Sequence, residues 1–243
     1  YAWGEPLFVF IMIGVTFINH FMVLLIDKFI VKSESSAENA AHYKRLAKTV
    51  LTGTVILDLL MFFVFKYLNF AISNVNSLFS LFGAEEVIPQ TNIALPIGIS
   101  FFSLQAFSYV FDVYRGTTKA DENVFRLGLY MSFFPQIVEG PICRYGQTAN
   151  QLWNVKQIEF ENLKLGAVRI LFGLMKKLVI ADRLNPMIKQ IFSHYDDYQG
   201  GIIALGAIAY TIQLYCDFSG TMDAVMGVAQ IFGVTMPENF QRP

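Results

Sequence analysis

Long apolar runs separated by short polar stretches form the first half of the chain. A membrane-spanning helix needs about 20 mostly apolar residues, because lipid offers the backbone no hydrogen-bond partners. Residues 7–26, 50–72 and 93–111 meet that length, although Asp58 and Lys66 interrupt the second run. The pattern therefore predicts three successive spans of an all-α integral membrane protein.

The apolar pattern becomes irregular after residue 123. Residues 124–142 contain Pro135 and, near their end, Gly140 and Pro141, which favour a broken or re-entrant element because proline removes a backbone donor. Residues 201–215 and 221–234 are each short for a span. They form either one helix interrupted at 217–220 or two tilted helices. The predicted fold is a multi-spanning helical bundle with broken or re-entrant helices.

Composition supports lipid as the solvent of this chain. Its 243 residues are 54% hydrophobic and only 15% charged, whereas about a quarter of the residues of a soluble domain are charged. The mean hydropathy is +0.46. A formal net charge of −1 gives no cationic field for nucleic acid, and two cysteines without metal-ligand spacing indicate neither a disulfide framework nor a metal site.

The distribution of basic residues predicts the orientation. Residues 27–48 contain five Lys or Arg, residues 73–92 none and residues 112–126 three. The positive-inside rule makes these segments cytoplasmic, external and cytoplasmic, so the N-terminal end lies outside a multi-pass plasma-membrane protein.

A further basic stretch, residues 144–189, is expected at the cytoplasmic face. At about 100° per residue, Arg169, Lys176 and Lys177 share one arc, and apolar residues such as Leu171 and Leu178 occupy the other. This pattern predicts an amphipathic cytoplasmic-side helix that lies in the headgroup plane or caps a bundle from inside.

Polar residues inside apolar segments are the candidates for function, because their burial in lipid is costly. Glu139 and Arg144 flank the break at Gly140, which is either a structural turn with an ion pair or the lining of a path. Asp217, Ser219 and Asp223 need partners in an otherwise apolar region and predict a polar cavity.

None of the three histidines has the setting of a catalytic base. His20, His42 and His194 have no Ser or Cys at a nucleophile spacing, and neither GxSxG nor HExxH occurs. A surface, loop or structural role is the better interpretation for each.

Several short motifs occur in a fixed order and together resemble one family. They are YAWGEP at 1–6, LPIGISFF at 95–102, DVYRG at 112–116, FFP at 133–135 with GP at 140–141, KKLVIADR at 176–183, and DFSG at 217–220 with PENF at 237–240. In this order they resemble the membrane-bound O-acyltransferase superfamily, in particular its bacterial branch of alginate O-acetyltransferases and DltB-like D-alanyl transfer proteins. The resemblance spans essentially the whole chain.

The resemblance implies a helix bundle around a tunnel and transfer of an acyl group, such as acetyl, to hydroxyls of an exported or cell-envelope polysaccharide. The donor would be a cytoplasmic thioester, either acetyl-CoA or an acyl carrier protein, with no bound cofactor or metal. An acyl-transfer partner is expected on the periplasmic or extracellular side. The family's catalytic histidine follows the PENF segment, so residues 1–243 would be one domain truncated at both ends and inactive alone.

The resemblance also implies roles for individual residues. The tunnel or polar cavity would be lined by Glu139, Asp217, Ser219, Asp223, Asn239 and Arg242. The donor would be contacted by Arg144, Lys176, Lys177 and Arg183, for which ordinary inside-positive topology is the alternative.

Two other functions stay open on the sequence. Broken helices with intramembrane acids are also typical of a secondary transporter or channel component, although no matching pair of interrupted helices is found in two halves. A non-catalytic assembly subunit is the third alternative.

Overall fold

All regular secondary structure in the described residues is helical. The structure, a computed structural model, describes residues 6–36, 38–83, 87–137, 140–154 and 158–240. The helices are α1 (Pro6–Ser35), α2 (Ala40–Lys66), α3 (Leu68–Ser80), α4 (Ile99–Tyr114), α5 (Val124–Ser132), α6 (Phe134–Ile137), α7 (Tyr145–Trp153), α8 (Phe160–Leu174), a π-helical segment (Met175–Ala181), α9 (Asp182–Ser193), a short 3₁₀ turn (Tyr195–Asp197) and α10 (Gly200–Ile231).

Three of these helices, α1, α2 and α10, are long and apolar enough to cross a membrane within the described part of the chain. The predicted class, an all-α membrane protein, is confirmed. The chain divides into two compact units. The N-terminal unit is Tyr1–Ser132 with Arg144–Gly146, and the C-terminal unit is Phe133–Cys143 with Gln147–Pro243.

In the N-terminal unit, α1 and α2 pack side by side, α4 packs on both and α5 packs on α1. Their outer faces expose large apolar side chains such as Phe10, Phe21 and Leu60. Such a surface suits lipid rather than water. The first two predicted spans are confirmed, but both helices continue into the basic stretch 27–48, which is mostly helical rather than a loop.

The end of the second predicted span differs from expectation. The helix does not continue to residue 72, because α2 ends at Lys66 and α3 begins at Leu68. Asn69 Nδ2 donates to Thr91 O at 2.8 Å, and Asn76 Nδ2 donates to Ile88 O at 2.7 Å. These amide side chains hold the non-helical segment 87–91 against α3, and hydropathy cannot reveal such contacts.

The third predicted span is wrong in extent. Helix α4 begins at Ile99 rather than at residue 93 and has 16 residues, which is short for a span. Pro96 lies in the non-helical segment before α4, and Gly98 adopts φ +74° immediately before the helix. Glycine adopts such a left-handed conformation at little cost.

Of the two breaks predicted after residue 123, the first is confirmed and the second is wrong. Residues 124–142 are broken as expected, because α5 ends at Ser132 and α6 is a single short turn. In contrast, α10 runs uninterrupted through 217–220, so both the interrupted helix and the pair of tilted helices are wrong. The Asp217 side chain is paired with a lysine of a neighbouring helix and does not compete for the backbone of α10.

Helix α8, the π-helical segment and α9 follow one another without a gap and pack along α10 in the C-terminal unit. The amphipathic pattern around residue 170 is present, but its basic arc faces α10 instead of headgroups. The apolar side chains of Leu171 and Val179 are 66% and 63% exposed. The polar side of this helix is therefore the packed side.

Candidate functional site

Six charged side chains meet where α8 and the π-helical segment pack against α10. We name this set the charge cluster. Its members are the three cations Arg169, Lys176 and Lys177 and the three carboxylates Asp217, Asp223 and Glu238. All six lie in the C-terminal unit.

Arg169 joins two carboxylates from different segments. Its Nη1 and Nη2 donate to Glu238 Oε1 and Oε2 at 2.7 and 2.6 Å, and its Nε and Nη2 donate to Asp223 Oδ1, both at 3.2 Å. The hydrogen bonds to Glu238 raise the pKa of Arg169, and partial burial opposes them. The planar guanidinium can make this double fork, which an ammonium cannot.

The two adjacent lysines bond different carboxylates of α10. Lys176 Nζ donates to Asp223 Oδ2 at 2.7 Å and lies 4.6 Å from the centroid of the Phe172 ring. Lys177 Nζ donates to Asp217 Oδ1. Asp217 and Asp223 lie about one helical turn before and one turn after Gly220 on α10. They therefore bond two successive residues of the π-helical segment to α10.

The local backbone explains how both lysines reach α10. They lie in a π-helical segment, in which hydrogen bonds run from residue i to i+5 and each turn is wider than in an α-helix. Facing glycines at 166, 173, 220 and 227 bring the two backbones into direct contact. Short distances between the helix axes let charged side chains from both helices meet without unfolding either helix.

Ser219 and Asn239 lie on or beside the same helix. Ser219 is 1% exposed, and its Oγ has no hydrogen-bond partner among the described residues. Asn239 is exposed, and its Nδ2 lies 3.7 Å from Met222 Sδ. The ring of Phe240 packs edge-on against Tyr215 and Phe218. The segment that follows α10 therefore folds back along that helix.

The four residues predicted to contact the acyl donor lie in different surroundings. Lys176 and Lys177 belong to the charge cluster. Arg183, at the start of α9, is exposed, and its side chain makes no hydrogen bond or ion pair within the described ranges. Arg144 lies in the N-terminal unit, where its Nη1 is 3.9 Å from Asp112 Oδ1.

Two predicted cavity residues, Glu139 and Arg242, lie outside the described residues. The two charged partners that sequence reasoning missed are Arg169, noted only for its helical arc, and Glu238, noted only within a motif. Their signal was available: Arg169 lies seven positions before Lys176, on the same helical face, and an intramembrane Asp223 needs a cation.

The charge cluster neutralises itself, since its three cations match its three carboxylates. It therefore presents polar, hydrogen-bonding surface rather than net charge. Among the described residues, no three His, Cys, Asp or Glu side chains are grouped so that they could hold a metal ion. His20 is buried in α1, whereas His42 and His194 are exposed.

Comparison with known proteins gives matches along the whole chain. It is 35% identical over 243 residues to a probable alginate O-acetylase of Azotobacter vinelandii, covering 100% of the chain and 46% of that protein. It is 28% identical over 269 aligned residues to a peptidoglycan O-acetyltransferase of Helicobacter pylori, covering 100% of the chain and 48% of that protein. No family model matches.

A more distant relative is a teichoic acid D-alanyltransferase of Bacillus subtilis, 27% identical over 161 residues, which cover 64% of the chain and 40% of that protein. The chain spans about half the length of the curated relatives it matches. The predicted resemblance to this family, which rested on motifs spread along the whole chain, is thus confirmed. With its helical membrane fold and these relatives, the chain belongs to the membrane-bound O-acyltransferase family.

Proposed function

We propose that the protein transfers an acyl group, most simply acetyl, from a thioester donor to hydroxyls of an exported or cell-envelope polysaccharide. The observation that carries this proposal is the alignment of all 243 residues with a probable alginate O-acetylase at 35% identity. The names of the more distant relatives describe acyl transfer onto other envelope polymers. The donor is acetyl-CoA or an acyl carrier protein, presented from the cytoplasm.

The proposed reaction follows ordinary acyl-transfer chemistry. The acceptor oxygen forms a bond to the thioester carbonyl carbon, the carbon–sulfur bond breaks, and the hydroxyl proton passes to a general base while the thiolate leaves. General-base assistance typically contributes about 10²- to 10⁴-fold. Following the family resemblance, we assign the base to a histidine that comes after the PENF motif in the full-length protein; His20 is buried on α1, and His42 and His194 are exposed.

We assign a wall of the acyl-transfer passage to the charge cluster with Ser219 and Asn239. Apolar side chains of α8 and the π-helical segment face outward, and the charged ones face α10. The side chains of Lys177, Asp217 and Glu238 remain 41%, 38% and 41% exposed beside this helix contact, which supports a polar surface that borders an internal path. Glu139 and Arg242, predicted from the sequence for the same lining, lie outside the described residues and stay predictions.

The donor contacts fall mainly to Arg144 and Arg183 in this proposal. Lys176 and Lys177 are already bonded to carboxylates, so an anionic donor would have to compete with Asp223 and Asp217 for them. Arg183 is exposed, and the Arg144 side chain is 62% exposed although its Nη1 lies 3.9 Å from Asp112 Oδ1. Exposed guanidinium groups suit phosphates or an acidic carrier protein.

We further propose that the N-terminal end lies outside and the α1–α2 connection inside. The support is the five basic residues of 27–48 against none in 73–92. Membrane-impermeant labelling of single cysteines at positions 37 and 84 in sealed vesicles tests this orientation. Labelling of both positions from the same side would contradict it.

The activity is tested with the full-length protein in lipid vesicles, supplied with isotope-labelled acetyl-CoA or acetylated carrier protein and the candidate polysaccharide. The expected result is alkali-labile acetyl on the polymer. Absence of transfer from every donor, together with solute or ion flux across the vesicles, would favour the transporter alternative.

The donor contacts are tested with Arg144→Glu and Arg183→Glu, each measured for the donor KM and for kcat separately. We expect a roughly tenfold rise in the donor KM, equivalent to about 1.4 kcal/mol, with an unchanged polysaccharide KM. Lys164→Glu is the matched control, because Lys164 is exposed and, among the described residues, pairs only with Glu161 of its own helix, at 3.8 Å. An equal effect of the control would show a general charge effect and remove both arginines from the site.

A further inference from the structure

A buried polar pair lies between α1 and α2 and is not used by the proposed reaction. Asn19 Nδ2 donates to Asp58 Oδ1 at 3.1 Å, and it also donates to Val15 O at 3.0 Å within α1. Asn19 and Asp58 are only 1% and 3% exposed. Both residues lie inside helices long and apolar enough to span a membrane.

The hydrogen-bond inventory of this pair is one donor short. The two amide hydrogens of Asn19 are used by Val15 and Asp58, so its Oδ1 can only accept. Neither Asn19 Oδ1 nor Asp58 Oδ2 has a partner among the described residues. Two buried acceptors on adjacent side chains therefore lack a donor, which is costly away from water.

An amide and a carboxylic acid have complementary edges. The amide N–H already bonds one carboxyl oxygen, so a hydrogen on the other carboxyl oxygen can bond the amide oxygen and close a ring of two hydrogen bonds. A single proton on Asp58 Oδ2 thus supplies the donor that both unpaired oxygens lack. A water molecule could donate to these oxygens, but it would leave the carboxylate charge uncompensated.

No cation compensates that charge within the described residues, where Asp58 forms no ion pair. Lys66 lies two turns away on α2, and its Nζ donates to Ser100 Oγ at 3.4 Å. Helix α4, which packs on both spans, adds the buried Ser103 and Gln105, each with an unpaired oxygen. Titratable side chains on the packed helices include His20 and Asp27 on α1, Lys66 on α2, Tyr109 and Asp112 on α4, and Arg126 and Tyr130 on α5.

We propose that Asp58 is a resident proton-binding site, held as a neutral carboxylic acid in a two-hydrogen-bond pair with Asn19. The proton is taken up from water as α1 and α2 pack. It neutralises a costly intramembrane charge and adds a second hydrogen bond between the two helices. This inference does not depend on the acyl-transfer activity.

Infrared spectroscopy of the full-length protein in lipid bilayers tests the protonation state directly. With ¹³C-labelled aspartate at neutral pH, we expect an isotope-shifted carboxylic-acid C=O band that is absent in Asp58→Asn. Asn19→Leu should move the band to higher frequency, because the acid loses its hydrogen bonds. A wild-type protein without the acid band, or a band that sodium ions abolish, would overturn the proposal.

Thermal unfolding supplies a second, independent measurement. Asp58→Asn should keep the wild-type midpoint within a few degrees, because two amides make the same pair of hydrogen bonds. Asp58→Leu should clearly lower the midpoint of thermal unfolding, since it leaves the buried Asn19 amide without its hydrogen-bond partner on α2. Thr54→Val is the matched control, because within the described part of the chain the buried Thr54 hydroxyl bonds only Val50 O of its own helix, at 2.8 Å. Equal losses in Asp58→Asn and Asp58→Leu would show that the carboxylate charge is needed and would contradict a neutral acid.

Discussion

Gly173 of α8 and Gly220 of α10 each occupy the space in which the other's side chain would lie. A Cβ added to Gly220 would be 2.6 Å from Gly173 O, and a Cβ added to Gly173 would overlap Gly220 O. Seven residues along each helix, Gly166 and Gly227 repeat the relationship, with Cβ positions 2.6 and 2.7 Å from the partner's carbonyl oxygen. This backbone contact brings the charged side chains on both helices within hydrogen-bonding reach.

Replacing Gly227 by alanine should destabilise the C-terminal unit. The new methyl group would press on Gly166 O and on Ile170, and such overpacking costs about 1–3 kcal/mol. The measurement is the free energy of unfolding by denaturant in a lipid-mimetic environment.

Gly201→Ala is the control for this prediction. It changes the same helix at a site where nothing lies within 4 Å of the added Cβ. Alanine favours a helix over glycine by roughly 0.5–1 kcal/mol, so this variant should be neutral or slightly stabilised. If both variants had the same stability, close contact between α8 and α10 would be contradicted.

Arg169→Lys should loosen the segment after α10. A lysine keeps the charge but cannot form the double fork to Glu238 and Asp223. We expect a loss of roughly 1–3 kcal/mol of unfolding free energy, the range for hydrogen bonds to charged groups. Faster proteolysis near residue 238 should accompany it. Lys164→Arg, a surface change in the same helix, should alter neither property.

Exchanging the charges of Lys176 and Asp223 separates a structural pair from a donor contact. Lys176→Asp alone places a third carboxylate beside Asp223 and Glu238 and should strongly reduce stability and folded yield. The double variant Lys176→Asp with Asp223→Lys restores opposite charges across the same helix pair, whose native contact is 2.7 Å.

The double variant should regain most of the lost stability, although Arg169 then loses Asp223 as a partner. If stability returns while the donor KM stays raised, Lys176 contacts the donor. If both return together, its role is to hold the helices. Failure of the exchange to restore any stability would contradict the ion pair.

Cys143 should resist alkylation in the folded protein. Burial raises the pKa of the Cys143 thiol to about 12, against 9.0 for an ordinary thiol. Thiolate is the reactive form, so at pH 8 the folded protein holds about a thousandfold less thiolate at this residue than an unfolded chain does.

The raised pKa of Cys143 also makes the stability of the folded protein depend on pH. Below about pH 9 both states keep the Cys143 proton, whereas above it the unfolded chain releases a proton that the folded state retains, so stability falls as pH rises. Alkylation followed by mass spectrometry, with and without denaturant, checks the prediction. Cys143→Ser identifies the signal, and rapid alkylation of Cys143 in the folded protein at pH 8 would contradict its burial.

Much of the secondary structure could be predicted from local features. The apolar runs at 7–26 and 50–72 identified α1 and α2, and Pro135 with Gly140 predicted the break after α5. The predictions were wrong where a distant partner decides the outcome. Asn69, just after the end of α2, bonds Thr91, and Asp217, inside the continuous α10, bonds Lys177.

The candidate site shows the same division. Asp217, Ser219 and Asp223 were identified because polar residues in an apolar run are rare and costly. Arg169 and Glu238 were missed as partners, since they are 69 positions apart and nothing in either neighbourhood indicates the other. The roles of Arg144 and Arg183 toward the donor stay predictions.

The sequence alone determined that this is a helical membrane protein and which family it resembles, because hydropathy, helix breakers and motif order are properties of residues near one another in the chain. Only the tertiary structure decided that the basic arc of α8 and the π-helical segment faces α10 and that its three cations match three carboxylates. The physical reason is that ion pairing depends on distance in space, not on distance along the chain. In lipid, a charged face of a helix is stable only when it packs against a helix that carries the opposite charges.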